Sequence, residues 1–275
     1  MRRSVIIIVL VFFFAFSLTA SAADTDMIFV LTGYPGTTKQ AQGHIDRFLR
    51  HAEKVLGWKQ GSSSGAYYSD PVEGPKHLKS DSPGMAVVTP DIYLKYRKNL
   101  KMKIVAKVRA ANRGEEQYSV VVKKGTVKSL ENLKGKKVAG MILSDPVFVS
   151  SIIFSGKLAA SDVEVIHQPR PLSGLRAVNR GKVDAAVVDQ AVVKHMKTLS
   201  FGADLEVIHT SVKLPPPVVV SFPSGRKNVS IFKSRMDKLC GSGEGKQICT
   251  SIQLSSIEKA SEKDYASILS LYEGK

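Results

Sequence analysis

The chain has 275 residues, 43% hydrophobic and 23% charged, and carries a formal net charge of +16 at pH 7. This length allows one large domain or two small ones. The basic residues are dispersed rather than gathered in a tract with interleaved aromatics, and no nucleic-acid-binding motif is present, so nucleic acid is not expected as a partner. A field that attracts anions or an anionic membrane surface is an alternative use of the charge.

The first residues have the three-part pattern of a secretory signal peptide. Arg2 and Arg3 precede an apolar run over residues 5–16, and Ala-Ser-Ala at 20–22 forms a cleavage signal. We therefore expect a signal peptide over residues 1–22 and export of a soluble protein. An uncleaved membrane anchor is the alternative, although the run is shorter than the roughly 20 residues that a membrane span needs.

The next part of the chain predicts alternating strands and helices. A strand over 27–32 leads through a Gly-rich loop into a helix whose apolar residues recur at helical spacing and which ends at Gly57. Residues 61–82 are rich in Gly, Ser and Pro, so we expect an irregular excursion with little helix or strand. A buried strand over 85–89 and a helix over 92–98 follow.

Two extended segments come next, over residues 103–109 and 118–123. The region after them alternates strands with helices, with strands at 138–139, 163–166 and 183–188, an apolar helix after the first strand, and a helix over 173–181. This alternation predicts right-handed βαβ units in a parallel sheet. The C-terminal region is expected to contain extended segments at 205–210 and 218–222, and helical segments at 230–239 and 264–272.

Two motifs carry a resemblance to a known family. Leu130 to Ala139 matches the pattern Leu-x-x-Leu-Lys-Gly-Lys-Lys-Val-Ala, and Gly181 to Asp189 matches Gly-x-Val-Asp-Ala-Ala-x-x-Asp. The chain thereby resembles the type 2 periplasmic solute-binding proteins, in particular the phosphate, phosphite and phosphonate-binding subgroup that serves ABC transporters. A weaker resemblance extends over most of the chain after the signal peptide.

The resemblance implies an α/β fold of two lobes, each a mostly parallel sheet flanked by helices, joined by two extended hinge segments. Residues 23–115 and 213–275 would form the first lobe, and residues 116–212 the second. The implied function is capture of a small anionic ligand, phosphonate-like, phosphate-like or another small anion, by a periplasmic monomer that delivers it to an ABC permease. Presentation of the ligand to a membrane sensor is the alternative, and no catalysis, metal or cofactor is expected.

The ligand is expected between the lobes, where loops that leave the strand ends face one another. In the first lobe, glycine-freed backbone and hydroxyl groups lie near a helix start, where NH groups bind anions. A second loop resembles a family motif of a small residue, Pro, two variable residues and Tyr, although its tyrosine could equally be a core or rim aromatic. The candidates of this lobe are Tyr34, Gly36, Thr37, Thr38, Thr89 and Tyr93.

In the second lobe the candidates are Ser144, Asp145 and Asp189. Relatives hold three phosphoryl oxygens in a Ser/Thr-rich turn at the first of these places, whereas this chain has Ser-Asp-Pro-Val-Phe over 144–148. A carboxylate that faces the ligand favours an amine or hydroxyl over a phosphonate dianion. Alternatively, Asp145 and Asp189 cap the helices that follow them.

Cys240 and Cys249 are the only cysteines and lie close in sequence. In an oxidising compartment this spacing predicts one disulfide, with a free thiol pair as the alternative. No histidine lies near them in sequence, so a metal site is not expected.

Enzyme-like patterns are weak. Residues 61–65 have the letters Gly-x-Ser-x-Gly of a nucleophile elbow but lack the flanking strand and helix, and residues 241–246 resemble a phosphate loop except that Cys240 stands where Gly is required. A hydrolase that uses Ser63 or a histidine is the less favoured alternative.

Overall fold

The structure, a computed structural model, describes residues 25–81, 83–111, 116–168, 170–241 and 243–275, so the predicted signal peptide lies outside it. The strands are β1 (Thr25–Val30), β2 (Ser63–Tyr68), β3 (Met85–Val88), β4 (Lys103–Ala110), β5 (Tyr118–Lys123), β6 (Lys137–Gly140), β7 (Glu164–His167), β8 (Ala185–Asp189), β9 (Leu205–Thr210), β10 (Val218–Ser221) and β11 (Leu254–Lys259). The helices are α1 (Thr38–Leu56), α2 (Glu73–Ser80), α3 (Pro90–Tyr96), α4 (Pro146–Phe148), α5 (Pro171–Asn179), α6 (Gln190–Met196), α7 (Arg226–Arg235), α8 (Gly243–Ser251) and α9 (Ala266–Glu273).

The described strands form two sheets, each with helices packed on it. The six-stranded sheet has the order β11-β4-β10-β3-β1-β2, and the five-stranded sheet has the order β7-β6-β8-β5-β9. We call the sheets with their helices the six-stranded lobe and the five-stranded lobe. The predicted α/β architecture of two lobes is confirmed.

Each sheet is mixed, where mostly parallel sheets were expected. In the six-stranded sheet β1 pairs in parallel with β2 and β3, whereas the pairings of β10 and β11 are antiparallel. In the five-stranded sheet β6 pairs in parallel with β7 and β8, whereas β5 pairs antiparallel with β8 and β9. Strands β4, β5, β9 and β10, which have antiparallel pairings, flank the two places where the chain crosses between the lobes. The βαβ pattern is therefore interrupted at these crossings.

The two crossings run side by side. The first links β4 to β5 and the second links β9 to β10. The Leu214 backbone NH donates to the Glu116 carbonyl at 2.8 Å, and the Ser211 NH donates to the Tyr118 carbonyl at 2.8 Å. These bonds join the two crossings in the antiparallel sense, as expected for a paired hinge.

Strand β5 shows why the centre of the five-stranded sheet is buried on both faces. Val120 and Val122 point into one apolar cluster and Val121 into another, and none of the three is exposed. Successive side chains of a strand point to opposite faces of the sheet. An uninterrupted run of valines therefore places apolar side chains on both faces, as in a central strand that is covered on both sides.

Helix α1 forms as predicted from its apolar spacing. Ile45, Phe48, Leu49, Ala52 and Leu56 lie on its buried face. At its start the Thr37 hydroxyl accepts from the Gln40 NH and the Gln40 side chain accepts from the Thr37 NH, which makes a capping box. The helix ends at Gly57, whose φ of 74° is the left-handed conformation that glycine adopts most readily.

The prediction of an irregular segment over residues 61–82 was wrong, because this segment holds β2 and α2. Its glycines are needed for close packing. A Cβ on Gly65 would lie 2.5 Å from the Met27 carbonyl oxygen, and one on Gly74 would lie 2.5 Å from a Val30 methyl group. The composition that predicts a loop therefore reflects the close approach of a strand and a helix to β1.

Helix α8 and strand β11 were not predicted. The sequence of α8 begins with Gly and is mostly polar, so it has little helical pattern. The predicted disulfide is present: Cys240 and Cys249 are bonded with their Cα atoms 5.6 Å apart, and Cys249 belongs to α8. Gly245 lets α8 approach α1, since a Cβ there would lie 2.9 Å from the His51 Nε2 atom.

One apolar cluster continues from lobe to lobe. It includes Tyr93 and Tyr265 of the six-stranded lobe and Phe148 and Ile152 of the five-stranded lobe, each at most 1% exposed. Helix α4, which continues as a π-helical turn over Val149–Ile153, contacts α3, and this turn contacts α9. The lobes are therefore in direct apolar contact beside the cleft.

Candidate functional site

A cavity lies between the lobes at the carboxyl ends of strands from both sheets. Its empty volume, which includes space open to solvent, is about 310 Å³. Its lining consists of Thr32, Gly33, Tyr118, Met141, Ile142, Pro171, Val187, Val188 and Asp189. Thr32 and Gly33 follow β1, Met141 and Ile142 follow β6, and Asp189 ends β8. Open α/β sheets bind ligands at this edge, so this cleft cavity is the candidate site.

On the side of the six-stranded lobe, the cavity borders a group of buried polar side chains. Thr32, Thr89 and Asp91 are at most 6% exposed. The Thr32 and Thr89 hydroxyls lie beside the Asp91 carboxyl and lower its pKa, although neither hydroxyl nor the Asp91 Oδ1 atom makes a hydrogen bond of standard geometry among the described residues. Buried polar groups in folded proteins are nearly always paired, and these three side chains face one another, with Thr32 also in the cavity wall.

The Asp91 carboxyl is unusual in its protonation. Burial raises its pKa, and the opposing influence of the Thr89 hydroxyl, the Ile92 NH and the Thr32 hydroxyl does not compensate. Asp91 lies in the first turn of α3, whose preceding residue Thr89 makes no side-chain cap bond. The sheet edge thus holds a carboxyl group that is desolvated without a charge partner.

Asp189 faces the cavity from the five-stranded lobe and also caps a helix. Its Oδ1 atom accepts from the Val192 NH at 2.9 Å at the start of α6. The next residue, Gln190, donates through Nε2 to the Ser119 hydroxyl at 3.0 Å. Asp189 is therefore the predicted site residue that lies in the cavity wall, and one of its oxygens is fixed by the helix.

Asp145 also caps its helix. Its Oδ1 atom accepts from the Val147 NH at 3.1 Å, and its Oδ2 atom accepts from the Tyr272 hydroxyl of the six-stranded lobe at 2.7 Å. The backbone carbonyl of the adjacent Ser144 accepts from Lys95 Nζ at 3.1 Å. These two residues thus make polar links between the lobes outside the cavity lining, and burial with the Asp145 carboxylate raises the pKa of Tyr272.

Tyr93 is wholly buried in the apolar cluster beside the cavity. Its ring meets the edge of Tyr265 with a centroid separation of 5.9 Å. Burial raises its pKa to about 12, and its hydroxyl has no hydrogen-bond partner within the described chain. The structure places this residue in the core contact between the lobes.

The remaining predicted residues lie outside the cleft cavity. The Tyr34 hydroxyl donates to Glu116 Oε1 at 2.6 Å, beside the hinge. Thr37 caps α1, and the Thr38 hydroxyl donates to the Tyr67 carbonyl at 2.7 Å. Gly36 belongs to the loop between β1 and α1. The structure therefore brings Thr32, which the sequence analysis did not select, to the cavity in place of these neighbours.

The charge of the cavity wall contrasts with the charge of the chain. None of the described lining residues has a cationic side chain, and Asp189 contributes a carboxylate. The start of α5 reaches the lining through Pro171, and the preceding Arg170 makes no side-chain cap bond. Pro171 has no NH, and the Ser173 NH already donates to the Arg170 carbonyl at 3.0 Å, so this helix start contributes mainly partial positive charge toward an anionic group.

Several lining residues escaped sequence analysis for different reasons. Thr32 ends a predicted strand, and its position at the carboxyl edge is a signal that could have found it. Met141 and Ile142 are apolar residues after β6 and carry no sign of a site. The described residues hold no group of three or more His, Cys, Asp or Glu side chains that could bind a metal ion. Among the helices that the structure describes, none combines the length and apolarity that a bilayer crossing needs.

Comparison with known families gives a match over most of the chain. Residues 66–265 match the profile of a family described as ABC transporter, phosphonate, periplasmic substrate-binding protein. A search of curated proteins finds none that matches.

Solved structures share the fold at low sequence identity. A binding protein component of an ABC phosphonate transporter from Pseudomonas aeruginosa has a TM-score of 0.64 and 14% identity, over 90% of this chain and 84% of that one. PhnD1 of Prochlorococcus marinus, solved in complex with methylphosphonate, has a TM-score of 0.62 and 14% identity, over 91% and 98%. A Xanthomonas citri protein solved with ATP has a TM-score of 0.71 and 8% identity, over 91% and 96%.

Proposed function

This chain belongs to the family of periplasmic substrate-binding proteins of phosphonate ABC transporters, and we propose that it captures a small anionic solute in the cleft cavity and delivers it to an ABC permease. The lobes are residues 23–115 with 213–275, and residues 116–212. Residues 1–22 form the signal peptide that exports the protein to the periplasm, where the family acts. The members of this family are binding proteins, and no reaction is assigned to the cavity.

The observation that carries the proposal is the cleft cavity itself. The carboxyl ends of β1, β6 and β8 converge on it from both lobes, and Thr32 belongs to its wall. A solute held there touches both lobes at once. Contacts that exist only in the closed form shift the equilibrium between open and closed forms toward the closed one.

The chemistry of the wall restricts the solute. The start of α5 contributes partial positive charge, whereas Asp189 and the absence of a cationic side chain among the described lining residues disfavour a bare dianion. The starts of α4 and α6, which could also hold an anion, are already bonded to the carboxylates of Asp145 and Asp189. A compact anion that also presents a hydrogen-bond donor satisfies both sides of the cavity.

A thermal-shift screen of residues 23–275 tests this function. The screen compares phosphate, phosphite, phosphonates, sulfonates, carboxylates, amino acids and vitamins. A solute present at 100 times its dissociation constant should add about 2.7 kcal/mol to the free energy of unfolding if it binds only the folded form. A rise confined to one class of small anion supports the proposal, and the absence of a rise with every class contradicts it.

A further inference from the structure

A second cavity lies within the six-stranded lobe, on the face of the sheet that α1 and α8 cover. Its empty volume, which includes space open to solvent, is about 770 Å³. It shares no lining residue with the cleft cavity. Phe29, Tyr67 and Val87 of the sheet form its floor. We call it the lobe cavity.

The lining of the lobe cavity combines an apolar floor with a polar rim. The floor residues are at most 6% exposed. At the rim stand His44 of α1 and Gln253 of the turn between α8 and β11, both exposed, and neither side chain has a hydrogen-bond partner within the described chain. An aromatic body on the floor and one polar group at the rim would fit this arrangement, since pockets of this kind bury apolar surface and orient the ligand with a few polar groups.

The turn between α8 and β11, which forms one wall of the lobe cavity, contains a residue in an unfavourable backbone conformation. Gln253 has a φ of 60°, in the left-handed region that non-glycine residues seldom adopt. Its NH donates to the Thr250 carbonyl at 2.9 Å, and the disulfide between Cys240 and Cys249 anchors α8. Such backbone strain persists only where surrounding structure enforces it and is frequent at ligand sites.

Two walls of the lobe cavity contact the hinge. The Tyr34 ring lines the cavity, and its hydroxyl donates to Glu116 Oε1 at 2.6 Å. The Gln253 carbonyl accepts from the Ala111 NH at 2.8 Å. Ala111 and Glu116 delimit the first crossing between the lobes, and the Glu116 carbonyl binds the Leu214 NH of the second. Both ends of the first crossing are therefore fixed by side walls of the same cavity.

We propose that the lobe cavity is a second ligand site, which takes a small aromatic molecule with one polar or anionic group, and that its occupancy stiffens the hinge. A ligand that packs against Tyr34 and the Gln253 turn restricts both, and with them the first crossing. It thereby changes the ease with which the lobes open without touching the cleft cavity. This site is independent of the solute that the cleft takes.

Binding of 1-anilinonaphthalene-8-sulfonate, a fluorescent aromatic sulfonate, tests the site. Wild type is expected to bind one molecule with enhanced fluorescence. Ala41→Phe fills the cavity from α1 and His44→Trp narrows its rim, so each should weaken binding at least about tenfold. Gly43→Phe is the matched control, because it adds the same ring to α1 at an exposed position with no atom within 4 Å of the new Cβ, and should bind as wild type does.

Circular dichroism establishes that each variant is folded, and His44→Trp carries the test if Ala41→Phe is not. Unchanged affinity in the folded variants, or no binding to wild type, would overturn the second site. Hydrogen exchange tests the hinge: saturating probe should slow exchange of the Ala111 and Leu214 amides in wild type. Glu116→Ala, which removes the acceptor of the Tyr34 hydroxyl and leaves the cavity lining unchanged, should bind the probe and lose the slowing at Leu214. Exchange that the probe leaves unchanged in wild type would overturn the coupling.

Discussion

Glu53 shows how one buried carboxylate organises a junction in the six-stranded lobe. It is 2% exposed and accepts from the Gly61 NH at 2.9 Å, the Ser63 NH at 2.8 Å and the Ser63 hydroxyl at 2.6 Å. Burial alone raises its pKa, but the bonds from Ser63 and Gly61 and the charge of Arg50 outweigh burial, so the pKa is lowered. The end of α1 and the start of β2 are thereby held together.

Glu53→Gln should destabilise the protein by about 1 to 3 kcal/mol at neutral pH, because an amide replaces acceptor oxygens and leaves buried donors poorly paired. A lowered folded-state pKa means that the contribution of Glu53 is present above its unfolded pKa and is lost as pH falls through the folded value. Urea unfolding at neutral and acidic pH measures this. Asp46→Asn on the same helix is the control, and an equal loss there would contradict the role of Glu53.

Asp91 should give the opposite pH dependence. Burial raises its folded-state pKa, so the folded state holds the proton at pH values where the unfolded state has released it. Stability therefore falls as pH rises from the ordinary Asp pKa through the raised one. Asp91→Asn should remove this fall and make the ligand-free protein more stable than wild type at neutral pH. The free energy of unfolding in urea is measured as a function of pH for both proteins, and the same pH dependence in wild type and Asp91→Asn would contradict a raised pKa for Asp91. Asp204→Asn, at an exposed position, serves as the control.

The sequence could predict some of the residue-scale features. Asp145 and Asp189 each precede a helical segment, and a capping role follows from that position alone. Thr32, Thr89 and Asp91 converge only because β1 and β3 are neighbours in the sheet. Their burial together is a property of that convergence, and a single sequence does not contain it.

At the scale of elements, prediction succeeded where local pattern and tertiary environment agree. The apolar spacing of α1 predicts a helix with one buried face, and the valine run of β5 predicts a strand buried on both faces. It failed for β2 and α2, where glycine and proline suggest a loop while the contacts of Gly65 and Gly74 with β1 require small residues. A local pattern cannot distinguish a glycine that bends the chain from one that lets two elements approach.

The disulfide gives a prediction for the C-terminal elements. It closes a short loop, with a sequence separation of 9, and such a loop contributes about 2 to 3 kcal/mol on the chain-entropy estimate. Replacing Cys240 and Cys249 together by Ala should lower the free energy of unfolding by that amount. Reductant should lower the stability of wild type similarly and leave the double variant unaffected. A reductant effect on the double variant, or none on wild type, would count against this account.

At the scale of the whole molecule, a few contacts between the lobes set the balance of open and closed forms. The bond from the Tyr272 hydroxyl to Asp145 and the bond from Lys95 to the Ser144 carbonyl join elements of different lobes. The continuous apolar cluster adds a larger and less directional contact. Both contacts hold the two lobes against each other.

Tyr272→Phe should favour the open form. The ring and its packing remain, whereas a hydrogen bond to a charged group, worth about 1.5 to 3 kcal/mol, is lost from the closed form only. The radius of gyration of the empty protein, measured by small-angle X-ray scattering, should increase. Tyr96→Phe is the control in the same lobe and should not change it. An unchanged radius for Tyr272→Phe would show that this bond does not hold the lobes together.

The two-lobed organisation was predictable because two sequence motifs and the alternation of strands and helices point to it. The exact edge of the cavity was not, because it depends on how closely the lobes approach. Met141 illustrates this: it is an ordinary apolar residue in sequence and becomes part of the cavity wall only when the strand ends of both lobes face each other.

The most direct test of solute capture in the cleft is calorimetric titration of three proteins with the small anion that gives the largest thermal shift. These are wild type, Met141→Trp, which fills the cleft cavity from a half-buried position, and Val207→Trp, which places the same side chain on an exposed strand of the same lobe. We predict equal affinity for wild type and Val207→Trp and a loss of at least about tenfold for Met141→Trp. Equal affinity for all three proteins would contradict capture between the lobes.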